Sequence, residues 1–207
     1  SGKCVAFSSD DLYMAVGHGP SSPYMSIYKR SGDTFTKLAN PALLPSNDII
    51  GLAFSNDTTY LAATQSTSPY LHIYKRSGDT FTRLTAPAGI PAGNASGCAF
   101  STDGTYLALA SAVSPFVAVF KRSGDTFTKL ADPAALPAGA ANGCAFSPDG
   151  TYLAVAHATS PFLTIYKRAG DVFTKLADVA APPASLSNGC AFSADGLHLA
   201  VSSTGSP

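Results

Sequence analysis

Ala145-Phe146-Ser147-Pro148-Asp149-Gly150-Thr151-Tyr152-Leu153-Ala154 is the stretch on which the reading of this chain turns. An apolar run enters a Pro-Asp-Gly turn and leaves as a second apolar run. That is the pattern of two short antiparallel strands tightly joined, because proline presets one turn angle and glycine accepts a positive one. The phrase recurs as Ala6-Phe7-Ser8-Ser9-Asp10-Asp11, Ala53-Phe54-Ser55-Asn56-Asp57-Thr58, Ala99-Phe100-Ser101-Thr102-Asp103-Gly104 and Ala191-Phe192-Ser193-Ala194-Asp195-Gly196. Its Phe stands at 7, 54, 100, 146 and 192, steps of 47, 46, 46 and 46, with the extra residue in Gly17 to Pro23. Units starting at Gly97 and Gly143 agree at 31 of 46 positions. Such likeness marks one duplicated unit, too short to close a core without its neighbours.

Each unit reads as four strands. In the unit from Gly143, the first strand ends at Ser147 and Tyr152 to Ala156 forms the second. After His157 to Pro161 comes Phe162 to Tyr166, rich in β-branched and aromatic residues, as the third. Lys167 to Asp171 turns the chain and Val172 to Leu176 returns as the fourth. Both strand faces carry apolar or small residues, as a sheet needs when it lies between two others. The phrase around Phe146 resembles the first half of a WD40-type β-propeller repeat. That resemblance implies an all-β propeller of four-stranded antiparallel blades, about 46 residues each, with the Phe146 strand innermost. One array is expected over 1–207: blades 1–50, 51–96, 97–142 and 143–188, and a half blade 189–207, in a five-bladed ring or part of a larger one. Phe100 and its equivalents should be buried between blades. The family's Trp-Asp dipeptide is replaced by Tyr28-Lys29, Tyr74-Lys75, Phe120-Lys121 and Tyr166-Lys167, and its Gly-His pair is missing, so its buried polar network is not implied. The recently amplified blades resemble repeat arrays of bacterial and phage proteins, which implies an extracellular or virion-surface location.

Composition narrows the function. With 45% hydrophobic and 13% charged residues the chain can fold, while 18 Gly and 15 Pro disfavour long helices. A net charge of zero makes nucleic acid a poor partner, and no stretch approaches the roughly 20 apolar residues of a membrane span. All 13 acidic residues are Asp. Twelve of the 13 basic residues fall in the Lys-Arg pair ending each third strand or in the fourth strand, and read as a solvated outer hairpin whose charges discourage edge pairing.

Cys98, Cys144 and Cys190 share one repeat position with Val5 and Leu52, and read as buried free thiols; Cys4 has no evident partner. Neither a metal site nor a disulfide framework is expected, and no cofactor. One Asp per turn serves backbone geometry rather than calcium. His18, Gln65, Ser111 and His157 share a repeat position just after the second strand, and no carboxylate accompanies them as a catalytic base would need. They are candidates for a ring of hydrogen-bonding groups on the top face, together with Tyr24, Tyr70, Phe116 and Phe162, whose rings could hold a sugar. His72 and His198 read as tolerated strand substitutions.

Near-identical blades favour repeated weak binding over an asymmetric catalytic constellation, so no catalytic residue is assigned. A scaffold or adhesion module binding a protein in an assembly such as a bacterial surface or phage tail ranks first. A multivalent lectin-like module for repeating glycans ranks second, and an enzyme far behind. The half blade leaves Leu197 to Ser202 as an unprotected apolar edge, expected to be paired by another chain or by further sequence.

Overall fold

The computed structural model describes residues 1–205. The described chain is all-β, four antiparallel four-stranded sheets and one two-stranded sheet, and none of its segments is a helix long and apolar enough to cross a membrane. The first sheet holds β1 (Gly2–Phe7), β2 (Tyr13–His18), β3 (Met25–Ser31) and β4 (Thr34–Lys37). The second holds β5 (Ile49–Phe54), β6 (Tyr60–Gln65), β7 (Leu71–Ser77) and β8 (Thr80–Arg83), and the third β9 (Ala95–Phe100), β10 (Tyr106–Ser111), β11 (Val117–Ser123) and β12 (Thr126–Lys129). The fourth holds β13 (Ala141–Phe146), β14 (Tyr152–His157), β15 (Leu163–Ala169) and β16 (Val172–Lys175); β17 (Ser187–Phe192) and β18 (Leu199–Ser203) form the fifth. Strands pair in chain order within each sheet, and the first strands neighbour one another in the series β1, β5, β9, β13, β17. From the second sheet on, the first strand begins two residues before the expected glycine boundary, with a bulge such as that between Ile49 and Gly51. The extra twist of a bulge suits the crowded inner edge.

The repeated phrase folds through a Ser-x-Asp clasp. Ser147 Oγ donates to Asp149 Oδ1 (2.5 Å) and accepts from the Tyr152 N–H (2.9 Å), while Asp149 Oδ1 accepts from the Thr151 N–H (3.0 Å). Ser8, Ser55, Ser101 and Ser193 make the same bond to Asp10, Asp57, Asp103 and Asp195. The Ser147 hydroxyl and the Thr151 groups hold the Asp149 carboxyl down to about 2. Gly104, Gly150 and Gly196 take the positive φ of this turn, and Asp11 and Thr58 adopt it where glycine is absent.

The core lies between sheets, not within them. Tyr13, Ala15, Met25 and Ile27 pack on Ile49, Leu61, Ala63, Tyr74 and Phe81 across the first junction. Equivalent clusters join the second sheet to the third and the third to the fourth. On β6, Leu61 and Ala63 face one neighbour while Tyr60 and Ala62 face the other, which is why the whole strand is buried. Phe100 is half-buried rather than buried, standing edge-on to Phe127 (6.2 Å), which Tyr60 also meets edge-on (5.5 Å).

Above each core sits a polar latch that the reading of a solvated hairpin missed. Tyr60 Oη donates to Asp125 Oδ1 (2.6 Å), Lys75 Nζ donates to Asp125 Oδ2 (2.7 Å), and the Arg122 guanidinium lies over the Tyr60 ring at 4.9 Å. Tyr13, Lys29, Asp79 and Arg76 repeat this at the first junction, and Tyr106, Lys121, Asp171 and Arg168 at the third. Lys29, Lys75 and Lys121 therefore tie sheet to sheet.

The inner edges meet backbone to backbone. A Cβ on Gly51 would lie 2.9 Å from Gly97 Cα, and one on Gly143 would lie 3.1 Å from Gly189 Cα. Gly51→Ala is expected to cost about 1–3 kcal/mol through this overlap. Gly189→Ala, whose Cβ meets nothing nearer than Ser202 Oγ at 3.7 Å, should stay within about 0.5 kcal/mol of the parent. Urea unfolding of the two variants checks this; equal losses would remove the close-approach argument.

Candidate functional site

His18, Gln65, Ser111 and His157 are the last residues of the second strands, not the first of the following loops. The reason is one more backbone bond than the sequence suggested: Gln65 N–H donates to Tyr70 O (2.9 Å), Ser111 N–H to Phe116 O (2.8 Å), and His18 and His157 likewise to Tyr24 and Phe162. His18 is half-buried, and Gln65, Ser111 and His157 are wholly enclosed. The Gln65 and Ser111 side chains hold the following loops in place, and the two histidines bridge to the third strand. Gln65 Oε1 accepts from the Ser46 N–H (3.2 Å) while its Nε2 donates to Thr67 O (3.0 Å). His157 Nε2 meets Thr164 Oγ1 (3.0 Å) and His18 Nε2 meets Ser26 Oγ (3.2 Å). Burial lowers the His157 pKa, so the ring stays neutral at ordinary pH.

Tyr24, Tyr70, Phe116 and Phe162 stand one residue before the third strand instead of opening it. All four sit at positive φ, 59° to 67°, a conformation that costs a bulky residue of order 1–3 kcal/mol. Each is half-buried beside the polar loop, and Tyr24, Tyr70 and Phe116 pack against the cores. The sequence carried a signal for them, a Ser-Pro-aromatic triplet in every full unit, but the triplet does not announce the left-handed backbone.

Clefts repeat with the sheets. Leu84 to Ala88 and Asp125 to Lys129 line one of about 500 Å³; those at the neighbouring junctions, beside Phe81 and Phe173, are about 330 and 310 Å³. A larger groove, about 760 Å³, runs along the free edge of β18 between Leu163 and Ile165 on one side and Leu199 and Val201 on the other. A third kind of cavity, about 350 Å³, has His72 and Arg83 in its wall. The four cysteines are free, and burial pushes the Cys4 and Cys190 thiols up to about 11. Among the described residues no group of three or more His, Cys, Asp or Glu is arranged to hold a metal ion.

No protein-family model and no curated protein matches the sequence, so the WD40-type resemblance stands on its motif. Solved structures do match in shape. A candidate 6-phosphogluconolactonase from Bacteroides uniformis superposes with a TM-score of 0.76 at 18% identity, over 96% of this chain and 62% of that one. Hydrazine synthase of Kuenenia stuttgartiensis gives 0.72 at 14%, over 95% and 54%. A protein of unknown function from Desulfotomaculum acetoxidans gives 0.71 at 16%, over 98% and 62%. The chain thus spans less than two-thirds of each. At such identities the likeness is one of fold alone.

His72 is not an idle substitution. It is 3% exposed, its Nδ1 lies 3.5 Å from Arg83 Nη1, and its Nε2 has no partner. Burial first, and the Arg83 charge second, lower its pKa to about 4 from 6.5. The unfolded chain therefore takes up a proton near 6.5 that the folded chain refuses until about 4, and stability should fall as pH drops through that window. Thermal melts between pH 7 and 4 should show a steeper decline for the parent than for His72→Thr, which carries the residue of the fourth unit. Parallel curves would show that His72 is not the group responsible.

Proposed function

We propose that the chain is an arc of β-propeller blades serving as a non-enzymatic binding or scaffold module, whose last sheet is completed by strand addition, from another chain in a larger assembly or from further sequence of the same protein. One observation carries the reading. The latch made by Tyr13 with Lys29, Tyr60 with Lys75 and Tyr106 with Lys121 is filled each time by the Asp of the next blade. The fourth copy, Tyr152 with Lys167, has no such Asp among the described residues. Tyr152 is accordingly half-buried, where Tyr13, Tyr60 and Tyr106 are 3%, 2% and 3% exposed. Beside it the outer edge of β18 is unpaired, over the apolar groove of Leu163, Ile165, Leu199 and Val201. Its occupant is a β-hairpin with the chemistry of the repeat's third and fourth strands: apolar residues for the groove, a Gly-Asp turn for Tyr152 and Lys167, and main-chain groups for β18. The sameness of the blades supports a non-enzymatic role, since a catalytic constellation is asymmetric.

A second reading, a multivalent glycan-binding module, is favoured by the strained, half-buried residues Tyr24, Tyr70, Phe116 and Phe162. In that reading Gln65 and Ser111 position the loops and the rings make the contacts, so loss of one ring weakens binding in part while the other copies remain.

A peptide copying Phe162 to Asp178 supplies the hairpin. It should raise the melting temperature progressively with concentration, as a ligand of the folded state must. The same peptide carrying Asp171→Asn should act more weakly. No shift at large excess overturns the strand-addition reading, and saturable binding on a glycan array, weakened in part by Tyr70→Ala, would move the second reading ahead.

A further inference from the structure

The second unit departs from the repeat at several places, and one group of its departures lies together in space. From Ile73 to Ala88 three residues have no match in any other full unit. Arg83 replaces Lys37, Lys129 and Lys175; Thr85 replaces Ala39, Ala131 and Ala177; Ala86 replaces Asn40, Asp132 and Asp178. His72, just upstream, stands where the others have Ser26, Ala118 and Thr164. All four line the same cavity of about 350 Å³.

The changes have a common electrostatic sense. In the third and fourth units the fourth-strand lysine is neutralised locally, Lys129 by Asp132 and Lys175 by Asp178. Ala86 deletes that carboxylate, and among the described residues Arg83 has no ion-pair partner. Its Nη1 is held at the long limit of hydrogen bonding by Leu44 O (3.4 Å) and His72 Nδ1 (3.5 Å); among the described residues its Nε and Nη2 make no hydrogen bond of sound geometry, and the Tyr74 hydroxyl approaches the guanidinium. A part-buried guanidinium so placed offers a planar two-pronged donor, which matches a carboxylate better than an ammonium does. Thr85 adds a hydroxyl to the wall, and Leu43, Leu71 and Leu84 make the rest of it apolar. His72, buried and neutral, turns an acceptor nitrogen toward Arg83 and so steadies the fork without competing for the anion.

We infer that this cavity is a blade-specific binding site for a small organic carboxylate with a short apolar group, gripped by the Arg83 guanidinium. The inference is independent of the strand-addition reading, because the cavity lies on the second unit and that edge on the fifth.

Calorimetric titration of the protein with sodium butyrate and sodium benzoate, and with butyramide as the uncharged counterpart, tests it. The carboxylates should bind one per chain and butyramide should not. Ala86→Asp, which restores the repeat's own carboxylate beside Arg83, should weaken binding at least about tenfold, the equivalent of about 1.4 kcal/mol. The reversion Arg83→Lys with Thr85→Ala and Ala86→Asp should abolish it. Every residue in these variants already occurs at the same place in a sister unit, so the melting temperature, recorded alongside, should hold. Absence of saturable carboxylate binding, equal binding by the Ala86→Asp variant, or binding of inorganic phosphate in place of the carboxylates overturns the assignment.

Discussion

Backbone contact between the first strands of successive sheets is the constraint on which the architecture rests. Sheets that fan out from a common inner edge must be thinnest there, and a single methyl at Gly51 or Gly143 would already meet the next strand's Cα. Further out the same sheets diverge, and the space between them is filled by larger side chains. Leu61, Leu107 and Leu153 of the second strands pack there with Tyr74, Phe120, Tyr166 and the outer Phe81, Phe127 and Phe173.

Each junction then holds itself together in two layers of unequal weight. The ion pairs of the latch have both partners roughly two-fifths or more exposed, so each contributes little by itself. The buried layer beneath, with edge-on rings about 5.5 to 6.3 Å apart, supplies most of the cohesion. The latch contributes alignment. A carboxylate that must meet a phenol, an ammonium and a turn in the same place sets the height of one sheet against the next more sharply than apolar packing can.

The sheets were legible in the sequence because a 46-residue period with a turn phrase at its head leaves few other architectures, and because apolar residues on both strand faces require neighbours on both sides. The latch was not legible. Its Tyr and Asp lie 65 residues apart and in different units, as Tyr60 and Asp125 do, so reading one unit at a time presents the Asp as a turn residue and the Lys as a surface charge. The polar positions ending the second strands were found, yet their burial was not, since it follows from one added bond to the carbonyl of Tyr70, Phe116 or Phe162. His72 reads in the sequence as a tolerated substitution and Arg83 as one more outer charge for the opposite reason. Attention to what repeats hides the residues that do not.

The interchangeability of the junctions has a consequence for how the chain assembles. Any latch Asp fits any latch Tyr and Lys, so during folding each sheet faces several partners of almost equal affinity. Discrimination must come from effective concentration: the correct neighbour is tethered by a connection of about a dozen residues, such as Leu38 to Asp48, while a wrong one is tethered by a whole unit or belongs to another molecule. Tether length is a weak discriminator, because closure entropy grows only logarithmically. Crowded nascent chains of this type would therefore sample out-of-order pairings, and short, proline-bearing connections are the sequence's means of keeping the order of the sheets equal to the order of the gene.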